Sequence, residues 1–181
     1  MLFTNLKFRI SFLITVLVIV TACESSNDEV SLYTGNEVNF ELISGEFEGN
    51  ETSGVLTIKE RTDGKGEVEI TLNGVINGAV HPVHLHFGGL NADGLVATYL
   101  NPIEEINGVG KSNTLIDQLD NNIELNYNSL LIFDGSIKIH FESTGDLKDV
   151  ILGATNIGLN SQANEAFLLG IESITTCNSD F

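Results

Sequence analysis

An all-β fold, an antiparallel Greek-key-like sandwich or barrel with one or two short helical turns, is what three features of this chain predict. Apolar and polar residues alternate in short runs from residue 38 onward, turn residues separate the runs, and no long stretch carries a helical repeat of apolar positions. Eighteen glycines against two prolines supply turns without breaking strands.

The first alternation is Val38, Phe40 and Leu42, the second Leu56 and Ile58, the third Val68, Ile70 and Leu72. Thr62-Asp63-Gly64-Lys65-Gly66 lies between the last two, a turn sequence that predicts a hairpin. After Asn77-Gly78, residues 81–87 read as a strand. Residues 94–100 are apolar on both faces, as in an interior or loop-covered strand. Asn107-Gly108-Val109-Gly110 starts a loop, and Leu115, Ile116 and Leu119 form a short strand after it. Residues 129–133, ahead of Asp134-Gly135, suggest a helical turn, and 137–141 a strand. A short helix is expected over 146–152, with Asp146 near its start and Gly153 past its end. Phe167, Leu169 and Ile171 predict a last strand within 165–175.

The segment before this domain reads as an address. Lys7 and Arg9 precede an apolar run over residues 10–22, too short for a comfortable membrane span and suited to a secretory signal core. It ends in Val20-Thr21-Ala22-Cys23, which resembles the lipobox of bacterial lipoproteins. That resemblance implies acylation of Cys23 and a membrane anchor without a spanning helix. Glu24 at the second mature position resembles lipoproteins sent to an outer membrane, so the expected location is the cell envelope, lipid-anchored. The expected organisation is a lipoprotein signal over 1–22, an acidic tether over 23–36, a β domain over 37–176 and a polar tail over 177–181.

Loss of 22 residues from 181 leaves 159, enough for one domain with a real core. Two basic and no acidic residues leave with the signal, so the formal charge moves from −17 to −19. Such an acidic surface excludes nucleic acid and anionic lipid headgroups as partners. With Cys23 acylated, Cys177 has no partner and no disulfide is expected. No basic residue or histidine beside Cys177 in sequence marks its thiol as activated.

Chemistry concentrates in the histidines. Three of the four lie in His81-Pro82-Val83-His84-Leu85-His86-Phe87, and the fourth in Ile137-Lys138-Ile139-His140-Phe141. Strand side chains alternate between faces. Val83, Leu85 and Phe87 then face a core with Ile137, Ile139 and Phe141, while His84 and His86 face outward, as do Lys138 and His140. Three outward imidazoles from two strands can chelate a transition metal, and all-imidazole ligation suits copper or zinc, with copper favoured. Asp93, Glu142 or Asp146 are candidate oxygen donors. His81 has the other parity and is expected to orient a ligand from outside the coordination sphere. Ser136 and Ser143 near His140 show no nucleophile-elbow pattern, and Glu104-Glu105 reads as a solvated face.

These segments resemble the CHRD domain, named for its occurrence in chordin and found in many bacterial envelope proteins. Gly54-Val55-Leu56-Thr57-Ile58, the block over 81–89, Gly94-Leu95-Val96-Ala97-Thr98-Tyr99-Leu100 and Gly135-Ser136-Ile137-Lys138-Ile139-His140 carry the likeness across most of 37–175. The family's Gly-Glu-Ile-Arg-Gly ending is replaced by residues 151–158, which implies a divergent bacterial branch. Locally, His84-Leu85-His86-Phe87-Gly88 is similar to the copper-binding His-Val-His-x-Phe-Gly of Cu/Zn superoxide dismutases. Ile139-His140 with Asp146-Leu147 is similar to their later copper-ligand strand. That likeness implies copper ligation by His84, His86 and His140. It lacks a bridging histidine, a zinc loop and a substrate-guiding arginine. The expectation is therefore a non-catalytic copper-binding envelope module. The alternatives are a copper-dependent redox enzyme and a structural or adhesive module whose histidines serve as surface hydrogen-bonding groups.

Overall fold

The computed structural model describes residues 31–75 and 77–176. The signal segment, Cys23, Cys177 and the polar tail lie outside the described residues. Eight strands make a closed antiparallel barrel: β1 (Tyr33–Ser44), β2 (Ser53–Arg61), β3 (Gly66–Asn73), β4 (Val80–Phe87), β5 (Val96–Ile106), β6 (Val109–Ile116), β7 (Asp134–His140) and β8 (Ile151–Gly158). Around the barrel the order is β1-β2-β3-β6-β5-β4-β7-β8. Most consecutive strands pair, but β3 and β4 are separated, as are β6 and β7, with β3 lying beside β6 and β4 beside β7, as in a Greek key. Two short helices, α1 (Tyr127–Leu131) and α2 (Asn164–Leu168), complete the elements used below.

Alternation decides what the barrel encloses. Leu56 and Ile58 of β2, Val68, Ile70 and Leu72 of β3, Val83 and Leu85 of β4, and Ile137 and Ile139 of β7 all lie in one core cluster. Each such aliphatic side chain contributes about 1.5–3 kcal/mol on leaving water. The β2–β3 hairpin forms where expected, with Glu60 opposite Gly66 and the turn residue Gly64 at φ 81°. α1 begins two residues before the expected helical turn, because the Asn126 side chain accepts from Ser129 N at 2.9 Å and caps it.

Several elements depart from the sequence expectation. β1 opens at Tyr33, inside the segment assigned to the tether. Asn107 and Gly108 form the turn of a β5–β6 hairpin, with φ of 56° and 84°, rather than the start of a loop. Asn-Gly with both residues at positive φ is the favoured two-residue hairpin turn. Residues 151–152 do not finish a helix. They open β8, which pairs with β7 and, at Ile43 and Ser44, with β1. Closing the barrel there satisfies backbone groups along both neighbours, and that outweighs a weak local helix signal. The expected final strand within 165–175 is α2 followed by a chain without strand pairing. With β1 and β8 already joined, no free edge remains for a ninth strand.

The C-terminal stretch instead covers the outside of the sheet. Phe167 and Leu90 form a second buried cluster with Ile43, Ile151 and Ala154, and Ile174 packs against it. Hydrogen bonds stitch this cover down. Leu90 N donates to Asn156 Oδ1 at 2.8 Å, Thr175 N to Leu90 O at 2.8 Å, and Asn156 N to Asn164 Oδ1 at 2.9 Å. Among the described residues, no helix is long and apolar enough to cross a membrane.

Candidate metal centre

β4 and β7 are hydrogen-bonded neighbours in unbroken register, with Val83 opposite Ile139, His84 opposite Lys138 and His86 opposite Ser136. Both strands put their aliphatic residues inside the barrel. His84 and His86 therefore share the outer face with His140, as alternation requires. The rings converge there: centroids of His84 and His140 are 4.7 Å apart, those of His84 and His86 5.8 Å, and those of His86 and His140 6.5 Å. One nitrogen from each residue can be chosen so that all three lie within 4.8 Å of one another. With metal–nitrogen bonds of about 2.0–2.1 Å, a tetrahedral centre needs nitrogens about 3.4 Å apart. Small side-chain rotations toward a common point close that gap. The three imidazoles can hold a metal ion.

One expectation is overturned. The histidines face away from the barrel core but not toward water: His84, His86 and His140 are 1%, 2% and 0% exposed. A role as surface hydrogen-bonding groups is therefore excluded. The Tyr99 ring stands edge-on to His84 at 4.8 Å, the 88–95 connection brings Gly94 O to His86, and the C-terminal chain reaches this face at Lys138 through Thr175 O. Nothing local to 81–87 or 137–141 announces these covering segments.

Burial sets the electrostatics. It pushes the His84 imidazole down to about 3, with the nearby His140 and His86 rings adding to the effect. It pushes His86 down to about 4, a bond to the Gly94 carbonyl pulling the other way and Lys138 reinforcing the drop. His140 is also lowered by burial, against a bond to the Lys148 carbonyl, with Lys138 lowering it further and Asp149 raising it. All three rings are neutral at physiological pH, the form that ligates metals.

Two tautomers follow from the partners. A carbonyl oxygen only accepts, so His86 Nδ1 donates to Gly94 O at 3.0 Å and His140 Nδ1 donates to Lys148 O at 2.9 Å. Each ring then carries its lone pair on Nε2, oriented by a backbone group as ligating histidines usually are. The sequence reading missed both carbonyls, since no side-chain identity marks them. Parity also places Lys138 on the histidine face. Lys138 is 1% exposed, and its Nζ donates to Thr175 O at 2.7 Å.

His81 lies outside the group of three. The irregularities in the β4–β5 pairing put the extra residues on β5, so β4 keeps its alternation and His81 stays on the inner face with Val83 and Leu85. His81 Nδ1 donates to Phe141 O at 2.8 Å, bracing the backbone one residue past His140. Of the candidate oxygen donors, none joins the group among the described residues. Glu142 Oε1 accepts from Leu147 N at 2.7 Å and organises the turn after β7. Ser136 is buried on the strand and its Oγ has no hydrogen-bond partner among the described residues, so nothing activates it as a nucleophile.

No protein-family model matches this chain, and no curated protein matches it.

Proposed function

We propose that this protein is a lipid-anchored component of a cell envelope whose CHRD-like β domain binds copper, without catalysis, through His84, His86 and His140. The convergence of three imidazoles from two adjacent strands is the observation that carries the metal part. Copper is favoured because the group contains neither thiolate nor carboxylate, and imidazole sites bind copper above zinc. The fixed lone pairs of His86 and His140 support ligation in place of proton transfer. Burial supports storage or carriage of the ion: a redox enzyme needs a coordination position that substrate reaches, and rings exposed by 2% or less do not offer one. The anchor rests on Lys7, Arg9, the apolar run and Val20-Thr21-Ala22-Cys23, and the outer-membrane assignment on Glu24. The CHRD assignment rests on the histidine block and on Asp134-Gly135-Ser136-Ile137-Lys138-Ile139-His140.

Titration of the purified protein with copper, supplied both as Cu(II) and as Cu(I) under an anaerobic reductant, tests the site. Saturable uptake near one equivalent is expected, abolished in a His84→Ala/His86→Ala variant. Absence of uptake in either oxidation state, or uptake indifferent to the double substitution, refutes the reading. Mass spectrometry of the mature N-terminus should show acylated Cys23.

A further inference from the structure

The outer face of β4 and β7 holds a fourth nitrogen besides the three imidazoles. Lys138 stands two residues before His140 on the same strand face, and it is the register partner of His84 across the β4–β7 pairing. Its side chain is among the largest fully buried ones in the protein. The ammonium is held in place by Thr175 O, part of the cover over this face.

Two carboxylates also act on the site, Asp93 toward His86 and Asp149 toward His140, and both are exposed. Water weakens a charge at the surface far more than one enclosed by protein. At equal distance the interaction changes about fourfold between an effective dielectric of about 80 and one of about 20. The field at His86 and His140 is therefore positive, set by the buried ammonium rather than by the exposed carboxylates.

A metal ion bound there meets three neutral donors, since a ligating imidazole is uncharged. No thiolate or carboxylate in the group offsets the ion's charge. The cost of removing an ion from water grows with the square of its charge, and repulsion from Lys138 grows in proportion to it. Both effects penalise a divalent ion more than a monovalent one.

We propose that the ammonium of Lys138, buried beside His84 and His140, makes this a cuprous site that takes copper as Cu(I) in preference to Cu(II) or Zn(II). The inference rests on the copper reading above and specifies its oxidation state. Cu(II) presented to the site is reduced by one electron from an external reductant of the ascorbate class, which is itself oxidised. The three Cu–N bonds persist, no bond of the protein changes, and the proton that the reductant releases on oxidation goes to solvent.

The test compares dissociation constants of the full chain for Cu(I), Cu(II) and Zn(II), using the metals alone and a competing chromophoric chelator, in the wild type and in Lys138→Met and Lys138→Arg. The wild type is expected to hold Cu(I) at least 100-fold more tightly than either divalent ion. Lys138→Met should narrow the Cu(I)/Cu(II) ratio at least tenfold, mainly by strengthening Cu(II), and so lower the midpoint potential of bound copper by about 59 mV per tenfold. Lys138→Arg should keep the wild-type ratio. A wild type that holds Cu(II) or Zn(II) as tightly as Cu(I) overturns the proposal whatever the variants do, including a Lys138→Met chain that does not fold. A ratio unchanged in a folded Lys138→Met overturns it too. In both cases copper is still bound, so the broader reading survives. A wild type that binds copper in neither state removes both.

Discussion

Lowering the pH from 7 to 5 perturbs the metal-free protein at one place in particular, the three enclosed imidazoles. In the unfolded chain a histidine titrates near 6.5, whereas in the folded protein His84 titrates at about 3 and His86 at about 4. The folded-state values are depressed, so the unfolded state takes up protons first. Stability is complete above 6.5 and falls as pH drops from 6.5 toward the folded-state values. At 1.36 kcal/mol per pH unit over that interval, each of the two residues forfeits about 2 kcal/mol by pH 5, together about 4 kcal/mol. His140, lowered in the same direction, adds to the loss. The Glu67 and Asp117 carboxyls, held below their usual range, titrate beneath this window and leave it to the histidines. Urea unfolding of the metal-free protein at pH 7 and pH 5 measures the difference. A His84→Gln variant should lose about 2 kcal/mol less between the two pH values than the wild type does. Equal stability at both pH values, or the same pH dependence with and without His84, refutes the argument that these rings are buried uncharged.

Three further outcomes follow from particular contacts. Gly94→Ala would bring a Cβ to 1.6 Å from Phe87 O, so the backbone must shift and His86 loses its Gly94 partner; copper affinity should drop by at least tenfold, read by chelator competition. Asn164→Ala removes the side chain that accepts from Asn156 N and donates to Asn156 O and Thr155 Oγ1. Stranding those buried groups should cost about 1–3 kcal/mol in chemical denaturation. Leu85→Ala empties a fully buried inner position and should cost about 2–5 kcal/mol, with copper uptake retained because Leu85 points away from the imidazoles.

The strands that were legible in the sequence are those with strict alternation and an unambiguous turn. β2 and β3 show this, with Thr62-Asp63-Gly64-Lys65-Gly66 between them. The same alternation puts His84, His86 and His140 on one face from the sequence alone. β8 was not legible, because Asp146 and Gly153 imitate helix boundaries and the need for a strand comes from its neighbours β7 and β1. The C-terminal segment imitates a strand for a related reason. Phe167, Leu169 and Ile171 alternate like a strand, yet only Phe167 is buried, while Leu169 and Ile171 are exposed. The surroundings of the imidazoles are illegible for a third reason: Gly94 O on His86, Lys148 O on His140 and Thr175 O on Lys138 are backbone groups of other segments that no side-chain identity announces. Residue identity reports parity well and reports burial by remote segments hardly at all.

The barrel's closure is uneven, and this matters for the imidazoles. β1 meets β8 at two residue pairs and β5 meets β6 at three, whereas β2–β3 and β4–β7 pair along much of their length. Mechanically the barrel is two four-stranded leaves sewn along two short hems, β1-β2-β3-β6 and β5-β4-β7-β8. All three histidines, and the connections that supply the Gly94 and Lys148 carbonyls, belong to the second leaf. Gaping at either hem therefore leaves the spacing of the nitrogens intact, and the ligand set is insulated from the breathing of the fold that carries it.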